Sequence, residues 1–487
     1  MHTPGSAATL RTKAQALLQL GDAVSKKKSP AAAESCYRQA TQLAPDLPLA
    51  WRKLANCQSD LGRVEDQFVS LNQAVYYSNE DPEAIYHLGR RLETSHRLGE
   101  LDALVQKYGR RFTDDPWILT LEAVNSWRKG NLQEARRIAE HCLSLEPAGT
   151  KQFLHWLLGT LFDRLGEYGA AYRNFLRMNA MSEGHVTLVA NRLHERVTRL
   201  KQYVNDVAPA SYQARIDEDA GADDRGPIFV TGFPRSGTTL LGSMLNSHPD
   251  LITRDEWGGI NSVIKLMGAR GRNYPEFIGS LSAAERHEML EHYRGAQQIE
   301  GNSEKHVDKM PLNLVHLELI LKLYPRARIL VMIRNPYDVC LSCFSQDFRL
   351  NAAMQNFVSL ERTAQTYAHV MSLAKHHLEN ASTSIHLVRY EELAADSCKA
   401  TQSMCAFLGV PWSARILESH EHAKQAPRVH TPSYHQIVQP VHSNSVERWR
   451  SYREFLEPLH EWLDPWCGYF HYPLAADPTP HRSALGK

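Results

Sequence analysis

Proline at positions 45, 82, 116 and 147 and glycine at 62, 99, 130 and 166 recur along the first part of the chain with a period near 34 residues. A period of that length is one helix–turn–helix unit, and a single unit cannot bury its apolar face alone. The region is thereby limited to a stack in which each unit packs on its neighbours. Between the markers lie amphipathic segments such as "LAWRKLANCQSDLGRVEDQFVSLNQAV", where Trp51, Leu54 and Ala55, then Phe68, Leu71 and Ala74, follow helical spacing. Each glycine is expected in the turn inside a pair, and each proline where it stops the second helix.

This pattern resembles the tetratricopeptide repeat (TPR). "HWLLGTLFDRLGEYGAAYRNFLRMN" carries it best, with Leu158, Gly159, Gly166, Ala170 and Phe175. The resemblance implies an all-α solenoid over residues 1–205, with a concave surface for a protein or peptide partner. "VAPASYQARIDEDAGADDRG" follows, acidic and without period, and reads as a linker over 206–226.

From Pro227 the pattern changes. "IFVTG" (228–232), "RILVMI" (328–333) and "SIHLVRY" (384–390) are short β-type runs separated by helical stretches such as "LNLVHLELILKLY" (312–324). Strands alternating with helices predict an α/β domain with a largely parallel sheet over 227–475, leaving 476–487 as a tail. Ligands of such sheets bind at the carboxyl ends of the strands, so the residues just after each run are the candidates for function.

After the first run comes "FVTGFPRSGTTLL", in which Gly232, Gly237 and Thr239 sit as the phosphate-loop pattern G-x-x-x-x-G-K-[ST] requires. Thr238 replaces the lysine. A strand, a glycine turn and a helix start bring backbone N–H groups and a helix dipole to one point. Ser236, Thr238 and Thr239 add hydroxyls, and Arg235 adds a bidentate charge. After the second run comes Arg334, where a nucleoside triphosphatase commonly places an acidic residue for magnesium, and Ser342 lies on the next helix. Two separated phosphate sites without a metal carboxylate suit a nucleotide with phosphates at opposite ends of its ribose, bound without metal.

Lys+Arg (55) and Asp+Glu (54) nearly cancel, so no global field favours nucleic acid or an acidic membrane as partner. The eight cysteines lack zinc-type spacing. Cys340 and Cys343 form one C-x-x-C inside the apolar run "DVCLSCF", which favours core packing over redox or metal chemistry. No His pattern predicts a structural metal. With neither an apolar leader nor a membrane-length segment, the expectation is a soluble cytoplasmic protein.

"PRSGTTLL", "HPDLITRDEW", "DKMPLNLVHLELI", "RILVMIRNPYDVCLSCF", "VRYEEL" and "HTPSYHQIVQPVHSNSVERW" together resemble, in that order, the sulfotransferases that use 3'-phosphoadenosine 5'-phosphosulfate (PAPS). The bacterial type with an N-terminal TPR region is similar, as are tyrosylprotein sulfotransferases in the catalytic part. The resemblance implies a P-loop-like sulfotransferase domain that takes PAPS, releases 3'-phosphoadenosine 5'-phosphate and acts on an acceptor hydroxyl. It implies that Arg235, Ser236, Gly237, Thr238 and Thr239 form the 5'-phosphosulfate loop, that Arg334 and Ser342 bind the 3'-phosphate, and that Tyr390 and Ser433 lie along the nucleotide. Glu256 falls at the family's general base, with Asp255 as the neighbouring alternative. Lys309 falls beside the transferring group, with pairing to Asp308 as its structural alternative. Gln346, and Val438 or Gln439, stand near positions where some relatives carry further basic residues. Two other readings stay open at this point: a P-loop kinase or nucleotide phosphotransferase, and a TPR scaffold with an inactive α/β domain.

Overall fold

The computed structural model describes residues 4–26, 30–183, 191–206, 226–297, 305–381, 384–425, 438, 439, 441 and 443–474. The chain forms two compact units that part between Asn174 and Phe175.

The first unit is helical: α1 (Pro4–Lys26), α2 (Pro30–Leu43), α3 (Pro48–Asp60), α4 (Val64–Tyr77), α5 (Pro82–Thr94), α6 (Leu98–Gly109), α7 (Pro116–Arg128), α8 (Leu132–Ser144), α9 (Lys151–Arg164) and the start of α10 (Tyr168–Glu183). The residues predicted to face inward do so, with Leu54, Ala55, Phe68, Leu71, Ala74 and Leu158 all buried. Each buried leucine or phenylalanine contributes about 1.5–3 kcal/mol, and the small residues opposite let the helices approach. Trp51 is half-buried, its indole N–H donating to the Pro45 carbonyl at 2.8 Å.

Two details of the repeat differ from expectation. Gly62, Gly130 and Gly166 do take the left-handed turn inside their pairs, but Gly99 lies within α6 and His96 (φ 57°) occupies that turn. Read at the left-handed residue, the spacings are 34, 34 and 36. Pro82 and Pro116 do not stop the preceding helix. They open the next one, behind the N-caps Asp81 and Asp115, where the missing N–H of proline costs nothing.

In the second unit, the Asn179 side chain donates to the Phe344 carbonyl (2.9 Å). In α11 (Asn191–Asp206), His194 Nε2 lies 2.8 Å from Thr366 Oγ1. The expected linker and tail fall almost wholly outside the described residues. The sheet contains β1 (Ile228–Gly232), β2 (Leu251–Asp255), β3 (Lys305–Lys309), β4 (Arg328–Ile333) and β5 (Ile385–Arg389). All pair in parallel in the order β2-β3-β1-β4-β5. Every residue of β1 is buried, as a central strand covered on both faces must be, which is why its sequence reads as an unbroken run.

Between the strands lie α12 (Thr238–Asn246), α13 (Gly259–Ala269), α14 (Ala283–Gln297), α15 (Leu317–Leu323), α16 (Pro336–Phe344) and α17 (Leu360–Asn380). The run 312–324 is helical in two parts, because Pro311 opens a 3₁₀ turn through His316 before α15 begins. Val230, Leu330, Met332, Leu241, Met244 and Leu245 form the core between the sheet and α12. From β1 the chain runs to β2 and back to β3 on one side, then crosses to β4 and β5 on the other. That reversal opens a crevice at the carboxyl ends of the central strands. Among the described residues, no helix is long and apolar enough to cross a membrane.

Candidate active site

Each strand delivers one of the predicted residues at its carboxyl end: Arg235 after β1, Glu256 after β2, Lys309 closing β3, Arg334 after β4 and Tyr390 after β5. Strand register sets their heights. Asp255 pairs with Lys309, Gly232 with Met332, and Ile333 with Arg389.

The loop after β1 is built around two glycines. A Cβ on Gly232 would stand 2.5 Å from the Met332 carbonyl oxygen, so the backbone of β4 can approach only a glycine. Gly237 (φ 109°) turns the chain into α12, and a Cβ there would meet the Tyr390 ring at 2.7 Å. Ser236 Oγ donates to the Phe233 carbonyl (2.7 Å), which stiffens the turn from within. Thr238 and Thr239 begin α12, whose first N–H groups have no partner inside the helix. Arg235 is held at φ 70°, a left-handed conformation that costs a non-glycine residue about 1–3 kcal/mol.

Arg235 Nε donates to Ser342 Oγ at 3.1 Å, joining the loop to α16. Burial draws the Arg235 guanidinium down to about 10, and the positive charges of Arg334 and Arg448 press it the same way. Arg334 donates to the carbonyls of Arg235 (3.3 Å) and Ser445, and its guanidinium carbon lies 4.7 Å from the centroid of the Tyr390 ring. Its Nε is buried and has no hydrogen-bond partner among the described residues. Asp338, 3.9 Å from Arg334, is fully buried, and burial pushes its carboxyl up to about 6. Two guanidiniums held together beside one carboxylate that resists ionisation, with the positive charge of Arg448 felt at Arg235 and at Asp338, make a site for an anion of more than one charge.

On the other flank, Lys309 is fully buried, and its Nζ donates to Glu256 Oε1 at 3.0 Å and lies 3.4 Å from Asp255 Oδ1. Successive strand residues face opposite ways. Asp308 accordingly points away from Lys309 and accepts from Tyr293 Oη (2.6 Å) and Asn313 Nδ2 (3.4 Å), so the alternative Lys309–Asp308 pair is not formed. Burial pushes Asp308 up to about 6. Glu256 has φ 49°, and its N–H donates to the Lys309 carbonyl at 2.8 Å, so Lys309 grips both its backbone and its carboxylate. A glutamate kept in a strained conformation by a buried lysine, yet about a third exposed, is a carboxylate presented to something outside.

Ser433 lies outside the described residues. Arg448 was missed in the sequence, although it stands within the last motif; one more arginine in "VERWR" carries no periodicity or spacing to set it apart. Cys340 and Cys343 are both fully buried free thiols pushed up by burial, and Cys343 Sγ donates to the Pro234 carbonyl at 3.4 Å under the loop. Among the described residues, no group of three His, Cys, Asp or Glu side chains is placed to hold a metal ion.

Residues 227–414 match the sulfotransferase family model, and residues 14–47 match that of the tetratricopeptide repeat. Protein-tyrosine sulfotransferase 1 of Danio rerio is 26% identical over 238 residues, which cover 46% of this chain and 65% of that protein. An uncharacterized protein of Aquifex aeolicus (strain VF5) is 23% identical over 329 residues, 65% of this chain and 42% of that protein. The solved sulfotransferase domain of the Synechococcus PCC 7002 olefin synthase is 20% identical, covering 53% of this chain and 98% of that one, with a TM-score of 0.37. The chain spans less than two thirds of the length of these two curated relatives. Residues 227–414 are a sulfotransferase-family domain, and it follows in sequence a helical array that contains a tetratricopeptide repeat.

Proposed function

We propose that this chain moves the sulfuryl group of PAPS to an acceptor hydroxyl, with Glu256 as general base and with Arg235 and Lys309 stabilising the departing phosphate. The observation that carries this reading is that Arg235, bonded to Ser342, and Arg334, bonded to the Arg235 carbonyl, meet on one side of the crevice while the Glu256–Lys309 pair stands on the other. The donor set suits the nucleotide: Arg334 has a buried N–H without a partner among the described residues, and Gly237, where a Cβ would strike the Tyr390 ring, lets the loop close on that ring. PAPS, when bound, supplies a sulfuryl group already activated on a phosphate leaving group. Arg235, Ser236, Gly237, Thr238 and Thr239 hold its 5' end. Arg334 and Ser342, joined by Arg448, hold the 3'-phosphate, and Tyr390 and Ser433 lie along the nucleoside.

Glu256 takes the proton of the acceptor hydroxyl at its carboxylate. A protonated Glu256 loses its ion pair with Lys309, which frees the ammonium to face the leaving oxygen as charge gathers there. Asp255, 3.4 Å away, keeps the buried ammonium neutralised throughout. The name of the Danio relative supports a tyrosine in a protein as the acceptor, and the repeat array supports a protein or peptide partner; a carbohydrate hydroxyl meets the same chemical requirement.

Arg334→Ala is the direct test of the two-phosphate reading. Losing a charge-assisted contact is expected to weaken 3'-phosphoadenosine 5'-phosphate by about tenfold or more in calorimetric titration, and to leave AMP, which lacks the 3'-phosphate, nearly unchanged. Equal losses for both nucleotides, or for neither, would move the 3'-phosphate away from Arg334.

A further inference from the structure

In the segment 443–452, which carries Arg448, two backbone N–H groups are held by one side chain from the first turn of α16. Asp338 Oδ2 accepts the Glu447 N–H at 2.9 Å and Oδ1 accepts the Trp449 N–H at 2.8 Å. Both donors flank Arg448, and Glu447 itself is left-handed (φ 55°), so the two bonds fix the turn from which the Arg448 side chain leaves. The Trp449 ring is fully buried and stacked on Tyr337 (5.0 Å, 26°), whose hydroxyl donates to Asp464 at 2.6 Å. Arg334 adds its bond to the Ser445 carbonyl. Asp338 stands four residues before Ser342, on the same helix face, so one face of α16 offers a carboxylate to the late segment and a hydroxyl to Arg235.

We propose that Asp338 is a positioning residue for the nucleotide site, acting through Arg448: it fixes the Glu447–Trp449 turn so that Arg448 joins Arg235 and Arg334 on one anion. A fully buried carboxylate is an expensive way to hold a turn, since an apolar contact would stabilise the same packing without desolvating a charge. What the carboxylate adds is direction, because its two oxygens fix two N–H vectors on either side of one arginine. The proposal rests on the donor reading above.

The test is a double-mutant cycle on affinity for 3'-phosphoadenosine 5'-phosphate, read by calorimetry, with hydrogen exchange at the Glu447 and Trp449 amides. Arg448→Ala is expected to weaken the nucleotide about tenfold or more, Asp338→Ala to weaken it about as much while both amides exchange faster, and the double variant to be no worse than Arg448→Ala by more than about threefold. If Asp338→Ala does not fold, Asp338→Asn takes its place in the cycle. It conserves volume but sets an amide N–H against one of the two backbone N–H groups, so one amide alone should lose protection. Losses that multiply in the double variant, or an Asp338 variant with unchanged affinity, overturn the proposal. A wild-type chain that does not bind the nucleotide at all overturns the donor reading and this proposal with it, whereas normal wild-type binding with an indifferent Asp338 variant overturns this proposal alone.

Discussion

Glu256→Gln is expected to lower turnover by about 10²-fold or more, while affinity for 3'-phosphoadenosine 5'-phosphate stays within about twofold. The substitution conserves shape. Glutamine can still accept from Lys309 Nζ through its carbonyl oxygen, and the backbone bond from residue 256 to the Lys309 carbonyl does not involve the side chain. Only the capacity to take a proton is lost. The proposed nucleotide contacts lie at the ends of β1 and β4, away from Glu256, so binding should survive. Steady-state kinetics with the nucleotide titrated alongside separate the two effects. Turnover within a few-fold of wild type would assign the base elsewhere, and Asp255→Asn, which removes the other carboxylate on Lys309, then becomes the deciding variant.

Lys309→Met is expected to cost about 10²–10³ in turnover, the range for removing one preorganised donor to developing negative charge. Methionine keeps most of the stem. That matters because the stem is tightly housed: a Cβ built on Gly242 would stand 3.3 Å from Lys309 Cγ, so α12 passes close against it. Lys309→Ala would confound chemistry with a cavity costing about 2–5 kcal/mol, whereas the methionine variant should melt close to wild type. The same substitution leaves Asp255 and Glu256 without their shared cation. A variant with turnover within tenfold of wild type would take Lys309 out of the chemical step.

Much of this arrangement was legible in the sequence because it follows strand ends. β1 and β4 are largely apolar runs of a buried parallel sheet, and their boundaries match the expected 228–232 and 328–333. Arg235 and Arg334 could be read by position alone. β2 and β3 are harder: "LITRD" and "KHVDK" carry too few apolar residues to announce strands, since β2 is an edge strand and β3 closes on a lysine. They were recognisable only through the motifs around them. The choice between Asp308 and Glu256 as partner of Lys309 depends on which face of β3 each residue takes, and that is set by pairing with β2, a fact about register that no local window contains. Long-range contacts hid Asp338 and Arg448 for the same reason, Glu447 standing 109 residues after Asp338. In the array the period was clear, yet His96 filled a turn reserved for glycine, because a single left-handed residue costs a side chain only a modest penalty.

The central claim is that the crevice binds a nucleotide by its two separated phosphates and without metal. Calorimetric titration of the whole chain with 3'-phosphoadenosine 5'-phosphate, against ATP with and without magnesium, tests it most directly. The account predicts tight binding of the 3',5'-bisphosphate that is unchanged by a chelator and weak or no binding of ATP in either condition. Magnesium-dependent binding of ATP, with no affinity for the bisphosphate, would contradict it.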